Sequence, residues 1–151
     1  RDQETATMAV QAALTGHLVF STLHTNDAAS AVTRMLDLGI EPYLVASSVL
    51  GVLAQRLVRR VCTQCQGDLD AVVNCPRCRA TGYKGREGIY ELLPVTDTVR
   101  HQIQERAHAA QIRDSGVLDG MRLLRDSGQL KIDAGLTTLA EVERVTMRTD
   151  L

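Results

Sequence analysis

Tryptophan is absent from this sequence, phenylalanine occurs once, at Phe20, and aromatics make up only 3% of the 151 residues. Aliphatic side chains must therefore carry the core, and the segment between Cys65 and Cys75, with Asp68 and Asp70, no added basic run and no aromatics, is poor for phosphate or base contact. Neither sign of charge dominates: 17 Lys plus Arg face 18 Asp plus Glu, for a formal net charge of −1. That balance argues against a chain made chiefly to neutralise phosphate backbones. No run approaches the ~20 consecutive apolar residues of a membrane span. The N-terminus lacks the basic-plus-apolar pattern of a secretory signal. A G-x-x-x-x-G-K-[ST] loop, the backbone cradle with which P-loop enzymes hold a nucleotide, is also missing. The chain alone is therefore expected to be inactive towards ATP. What is present, 44% hydrophobic and 23% charged residues, is the composition of a globular protein. This length makes one domain or two small ones. The chain opens on Arg1, straight into Asp2-Gln3-Glu4-Thr5, which reads as a piece of a longer protein.

Four cysteines come as two pairs, Cys62-Thr63-Gln64-Cys65 and Cys75-Pro76-Arg77-Cys78, nine residues apart. Two C-x-x-C hooks bring four thiols within reach of one tetrahedral centre, and the expected ligand is zinc. Pro76 and Gly82 suit the tight turns this needs. Four thiolates leave no open coordination position, so the metal is expected to be structural, contributing folding energy to a loop-rich segment. A redox dithiol pair is the alternative reading. Without a secretory signal, a disulfide framework is the weaker one.

Helical spacing of Met8, Ala9, Ala12 and Ala13 predicts a helix over 4–15, ended by Gly16. The stretch from His17 to His24 is short, apolar at its centre and partly β-branched, as in a buried parallel strand. Asn26 and Asp27 are cap residues for a helix over 27–38, closed by Gly39. Pro42 opens a third helix, expected to run to about Arg59 through Leu44, Val45, Val49, Leu50, Val52, Leu53 and Leu57. After the cysteines, 79–93 reads as a loop into a strand. Further helices are expected over 97–107, capped by Thr96, and over 109–115, 119–132 and 138–148, the last with the capping-box spacing Thr138–Glu141.

In open α/β sheets, ligands bind beyond the carboxyl ends of parallel strands. His24 and Thr25 stand at that position, just before a helix N-terminus with its unsatisfied N–H groups. An imidazole there can donate to a phosphate oxygen; the alternative is that His24 and Asn26 are turn and cap residues. His17, at the strand's beginning, reads as structural. Arg56, Arg59 and Arg60 form a basic cluster, with Arg56 and Arg60 on one face at helical spacing. It is either a solvated face or a nucleotide-facing or subunit-interface cluster. Lys84 and Arg86, beside glycines, are turn charges or part of a partner-docking surface.

Ordered motifs then become recognisable. Arg1-Asp2-x-Glu4-Thr5-Ala6, Thr15-Gly16-His17-Leu18-Val19, Ser21-Thr22-Leu23-His24-Thr25-Asn26-Asp27-Ala28, Leu53-Ala54-Gln55-Arg56-Leu57-Val58-Arg59, both cysteine pairs, Gly85-Arg86-x-Gly88-Ile89-Tyr90-Glu91 and Gly135-Leu136-Thr137-Thr138-Leu139 follow in sequence. Together they resemble the ATPases of type II secretion and type IV pilus assembly. The resemblance covers essentially the whole chain. It implies the C-terminal part of an α/β RecA-like P-loop NTPase core (1–60), a small tetracysteine zinc module with a flanking strand (61–93) and an all-helical C-terminal subdomain (94–151). It further implies a homo-hexamer at the cytoplasmic face of the bacterial inner membrane. That assembly would use ATP and Mg in the longer protein, with an inner-membrane platform or docking protein as partner and no nucleic acid. Membrane association would be peripheral, through partners. Arg1 and Asp2 match the end of the family's Walker B motif. His17–His24 match its histidine box, with His24 the γ-phosphate sensor and Thr25 and Arg56 on the nucleotide side. Cys62, Cys65, Cys75 and Cys78 match its metal ligands. The nine-residue gap between the pairs is shorter than in many relatives. An alternative reading is a zinc-stabilised docking module that couples an ATPase to its partner and has no catalytic role.

Overall fold

The computed structural model describes residues 2–147, apart from the side chain of Leu69. Along them run α1 (Gln3–Leu14), α2 (Ala28–Asp37), α3 (Pro42–Ser48), β1 (Gly51–Val61), α4 (Leu69–Val72), β2 (Tyr83–Pro94), α5 (Asp97–Gln104), α6 (Ala109–Leu118), α7 (Leu124–Asp133) and α8 (Leu139–Thr146). Cap chemistry sets several starts. Asp2 accepts the Thr5 N–H at 2.8 Å, Asp27 that of Ser30 at 2.7 Å, Thr96 that of Val99 at 3.4 Å and Thr138 that of Glu141 at 3.4 Å. Pro42 occupies the first turn of α3.

Two expected elements are corrected. The third helix ends at Ser48, and residues 51–61 form β1 instead. Its buried positions fall at Ala54 and Val58 among exposed ones, the period-2 pattern of a strand. Val49, Val52, Val58 and Val61 are β-branched, and Gly51 interrupts a helix at the start of the run. The second correction concerns 17–24. This segment has no strand pairing, and Leu18 is 72% and Phe20 88% exposed. A buried parallel strand needs neighbouring strands, and the described residues hold one two-stranded sheet, β1 against β2.

That sheet is antiparallel. Cys62 N–H donates to the Gly82 carbonyl at 2.8 Å, and Val95 N–H to the Leu50 carbonyl at 3.0 Å. Between these bonds β2 carries one residue more than β1, the count of a β-bulge, and Gly85 at φ +85 supplies the left-handed backbone a bulge uses.

The residues gather into two compact units, each drawn from two stretches of chain. The first is Arg1–Ala54 with Glu91–Arg122, the second Gln55–Tyr90 with Leu123–Leu151. In the first, α2 packs on α6, and α3 on α5. Ala28, Ala29, Ala31 and Val32 of α2 are buried, as are Val45, Val99, Ile103 and Ile112. A fully buried Val or Ile stabilises by about 1.5–3 kcal/mol. The Arg100 guanidinium donates to the Ala46 carbonyl, tying α5 to α3. In the second unit, α7 packs on α8. The loop joining them lies along the end of β1: Leu136 accepts the Val61 N–H at 2.9 Å and the Thr137 hydroxyl donates to the Arg59 carbonyl at 2.8 Å. The four helices of the C-terminal third thus divide between the units, α5 and α6 in the first, α7 and α8 in the second. No described helix is long and apolar enough to cross a membrane.

Candidate functional site

The two cysteine hooks fold alike. In each, the residue after the second cysteine returns its N–H to the first cysteine's carbonyl: Gln66 to Cys62 at 2.8 Å, Arg79 to Cys75 at 3.0 Å. Asp68 then donates to Cys65 at 2.9 Å and Thr81 to Cys78 at 3.2 Å. Gln66, Arg79 and Ala80 sit at φ of 51, 52 and 62. Left-handed backbone is costly for residues with a Cβ, by roughly 1–2 kcal/mol each. It persists where surrounding structure over-determines it.

What the turns achieve is convergence. All four sulfurs are buried and lie within 4.8 Å of one another. Cys62 Sγ is 3.9 Å from Cys75 Sγ, and Cys65 Sγ 3.7 Å from Cys78 Sγ. These are not disulfide separations, and all four are free thiols. For thiolates about 2.3 Å from a tetrahedral metal, the sulfur–sulfur edge is about 3.8 Å. The donor set therefore fits a metal ion. Backbone N–H groups, Cys65 foremost and then Gln64, draw the Cys62 thiol down to about 7 against the effect of burial. Cys65, although the Gly67 N–H is directed at it, is pushed up to about 11 by burial and the three neighbouring thiols. Four thiolates packed this closely require a cation among them to ionise together.

Three residues before Cys62, Arg59 enters a second cluster. Glu141 of α8 is 2% exposed. Its carboxylate accepts the Arg59 N–H at 3.0 Å and Arg59 Nη2 at 2.6 Å, and Arg144 Nε and Nη2 at 3.1 and 2.9 Å. These hydrogen bonds, those from Arg59 first, hold its carboxyl far below the usual carboxylate range. The Arg59 guanidinium lies 4.3 Å over the Tyr83 ring, whose hydroxyl meets Thr138 Oγ1 at 2.9 Å.

The residues expected on the nucleotide side are placed as follows. Arg1 lies outside the described residues. Asp2 is the N-cap of α1, and its hydrogen bond from Thr5 lowers its pKa. His24 is exposed, and Thr25 Oγ1 donates to the Asp27 carbonyl at 3.2 Å. His17 Nδ1 sits 3.1 Å from Thr15 Oγ1 and 3.3 Å from the Ala12 carbonyl, at the end of α1. The expectation of unsatisfied N–H groups at the helix after His24 is corrected. The Ala28 N–H donates to buried Glu91 at 2.9 Å, and that of Ser30 to Asp27. Two carboxylates already occupy that positive helix end. Arg56 belongs to β1, where its guanidinium donates to the Gln55 carbonyl at 3.2 Å. It shares a face with Arg60 through strand rather than helix spacing, and Arg59 points to the other face.

Glu91 and Glu141 are the two site residues that sequence reasoning missed. Glu91 left a signal: in Ile89, Glu91 and Leu93 it is the one acid in a buried period-2 row. Glu141 showed as the partner in a capping box and within the Gly135-Leu136-Thr137-Thr138-Leu139-x-Glu141-Val142 motif, neither of which assigns it a buried ion pair.

Comparison with known proteins agrees with the architecture. The family described as "Type II/IV secretion system protein" matches residues 1–144. The type II secretion system protein HxcR of Pseudomonas aeruginosa is 54% identical over 97% of this chain and 32% of its own length. The type IV pilus assembly ATPase TfpB of Acinetobacter baylyi is 46% identical over 96% of the chain and 28% of its length. The type II secretion system ATPase E of Vibrio cholerae is 46% identical over 97% and 33%. The chain thus spans about a third of the curated relatives it matches. Among solved structures, the ADP-bound pilus retraction motor PilT superposes with a TM-score of 0.72 at 26% identity, over 99% of this chain and 38% of its own. The Legionella pneumophila ATPase DotB, at TM-score 0.70 and 22% identity over 96% of this chain and 36% of its own, shares the fold. A matching profile across nearly every residue, and a shared fold across the same span, make this chain a member of the type II/IV secretion system protein family.

Proposed function

We propose that the chain is the C-terminal part of a hexameric ATPase that hydrolyses ATP to power pseudopilus or pilus assembly. The observation that carries this reading is the family match over residues 1–144, together with relatives named as secretion and pilus ATPases. The longer protein would work at the cytoplasmic face of the inner membrane, against a membrane platform or docking protein. The sequence has no P-loop, so this chain supplies residues to nucleotide chemistry without holding the nucleotide itself. His24 donates a hydrogen bond to the γ-phosphate as charge develops in phosphoryl transfer to water, with Thr25 and Arg56 on the nucleotide side. Arg1 and Asp2 match the end of the family's Walker B motif and serve the same nucleotide chemistry. Cys62, Cys65, Cys75 and Cys78 hold a zinc ion, which fastens two turns together and takes no part in the reaction.

The test is steady-state ATP turnover of the longer protein, wild type beside His24→Ala, with native mass recorded on the same samples. A preorganised donor to a transition-state charge is worth ~3 kcal/mol, so turnover is expected to fall about a hundredfold in an intact hexamer. Unchanged turnover returns His24 to a turn residue. A second reading draws on the convergent buried sulfurs: a zinc-stabilised docking module that couples the motor to its partner. Cys75→Ser separates the two. Lost partner binding with retained hydrolysis marks a coupler, and loss of both marks a part of the motor.

A further inference from the structure

We propose that the hollow lined by Leu57, Arg59, Arg86 and Arg144 is a docking site for an acidic segment of a partner protein, a carboxylate flanked by apolar side chains. Three elements supply it. Leu57 and Arg59 are two apart on β1 and share its exposed face. Arg86 comes from β2 and Arg144 from α8. One carboxylate, Glu141, stands against the three guanidiniums, and its acceptor capacity is used up. Oε1 takes Arg59 Nη2 and Arg144 Nε, and Oε2 takes the Arg59 N–H and Arg144 Nη2. A carboxylate offers about four such positions. The hollow is left with an excess of two positive charges.

The guanidiniums are held ready. Each has five donors. Arg59 gives one to Glu141 and Arg144 gives two, while their side chains remain 49% and 53% exposed. The stack on Tyr83 further fixes the plane of Arg59. A fork already clamped from below binds a planar anion without first losing its own rotamer freedom. Arg86 is exposed and makes no ion pair among the described residues. Its charge is the one with no internal use.

The surroundings favour a protein carboxylate. The hollow is open, whereas pockets for small-molecule ligands enclose most of their ligand. Leu57, 46% exposed, gives one wall an apolar surface that inorganic phosphate has no use for. Guanidiniums gathered around a hollow suit a projecting side chain better than a flat headgroup layer. The proposal goes beyond the ATPase reading and stands without it.

The test is fluorescence anisotropy with a labelled peptide of alternating glutamate and leucine, titrated with the protein and with Arg86→Gln. Arg86 lies outside the Glu141 clamp, so the thermal midpoint should not move. Arg86→Lys, which keeps the charge but loses the fork, serves as a second variant. Expected are binding that weakens about tenfold in Arg86→Gln, less in Arg86→Lys, and that falls with added salt. No binding of the acidic peptide, or equal binding by Arg86→Gln, overturns the proposal. Displacement of the peptide by an equal concentration of inorganic phosphate overturns it in favour of a free-anion site. Arg86-dependent binding to phosphatidylglycerol vesicles that the peptide does not displace overturns it in favour of a membrane surface. ATP turnover of the longer protein reports on neither outcome, so the two readings fail separately.

Discussion

Gly128→Ala should destabilise the protein, and the same substitution should stabilise it once Val142 is shortened. In α7, a Cβ built on Gly128 comes 2.9 Å from Val142 Cγ2 and 3.3 Å from Val142 Cβ, and closer still to Cγ1. Real Cβ atoms essentially never approach another atom within 3.0 Å, as this one would both Val142 methyl groups. Val142 is 1% exposed and β-branched, so it has no free rotamer to turn into. Its Cβ is carried by α8 itself, and relief requires the two helices to move apart. Two effects compete. Alanine gains up to ~1 kcal/mol of helix propensity over glycine. Overpacking costs about 1–3 kcal/mol. The steric effect wins, for a net loss of about 1–2 kcal/mol. In Val142→Ala the two obstructing methyl groups are gone and only the Cβ at 3.3 Å remains, a contact that a shift of a few tenths of an ångström relieves, so Gly128→Ala then gains about 0.5 kcal/mol from propensity. A double-mutant cycle by urea denaturation should therefore return a coupling of about 2 kcal/mol with a change of sign. Gly116 is a graded comparison: its nearest atoms are Leu93 Cδ1 at 2.6 Å and Met121 Cε at 3.1 Å, and because Leu93 is fully buried while Met121 is adaptable, Gly116→Ala should also destabilise, by about 1 kcal/mol. A stabilising Gly128→Ala in the wild-type background, or coupling within error of zero, refutes the reasoning.

Other predictions follow from the buried acids and the sulfurs. Because Arg59 and then Arg144 hold the Glu141 carboxyl below its ordinary range, its contribution is complete above pH ~4.3 and is lost as pH falls toward the native value. Wild type should exceed Glu141→Gln by about 2 kcal/mol at pH 7, and urea midpoints should converge below pH ~4. Glu91→Gln replaces a charged acceptor at the start of α2 with a neutral one and should cost about 1 kcal/mol, read as faster amide exchange at Ala28. Cys75→Ser should lower bound zinc, measured by elemental mass spectrometry, from about one per chain to near none, with a large fall in thermal midpoint. Full zinc retention in that variant would sink the four-sulfur assignment.

How much was legible depended on how local each signal is. α2, α5 and α8 could be read because Asp27, Thr96 and Thr138 announce them within four residues. The cysteine cluster could be read because two hooks fix their own turns. β1 could not. Leu50, Leu53 and Leu57 recur at spacings of three and four that also satisfy a helix, and a short apolar run does not separate the two periods. The valines and Gly51 were the arbitrating residues, and they point to a strand. The segment 17–24 failed for a different reason: strand burial is conferred by neighbours, and its own composition says nothing of whether they are present. Glu91 and Glu141 are long-range partners of Ala28 and Arg59; the alternating row Ile89, Glu91, Leu93 marks the first as buried, but no pattern along the chain reveals the partner of either acid.

Because each unit is drawn from two separated stretches, assembly has an order in time. Ala28 waits for an acid 63 residues downstream, and Arg59 for one 82 residues downstream. At ~5–20 residues per second of synthesis, the second wait is on the order of ten seconds. The cysteine turns need nothing beyond 62–82, and so are the first long-lived structure available to the second unit. The emerging chain is expected to take up its metal early and to lock the arginine clamp last. Zinc uptake by ribosome-stalled chains in which Glu141 has not yet emerged is the direct readout of that order.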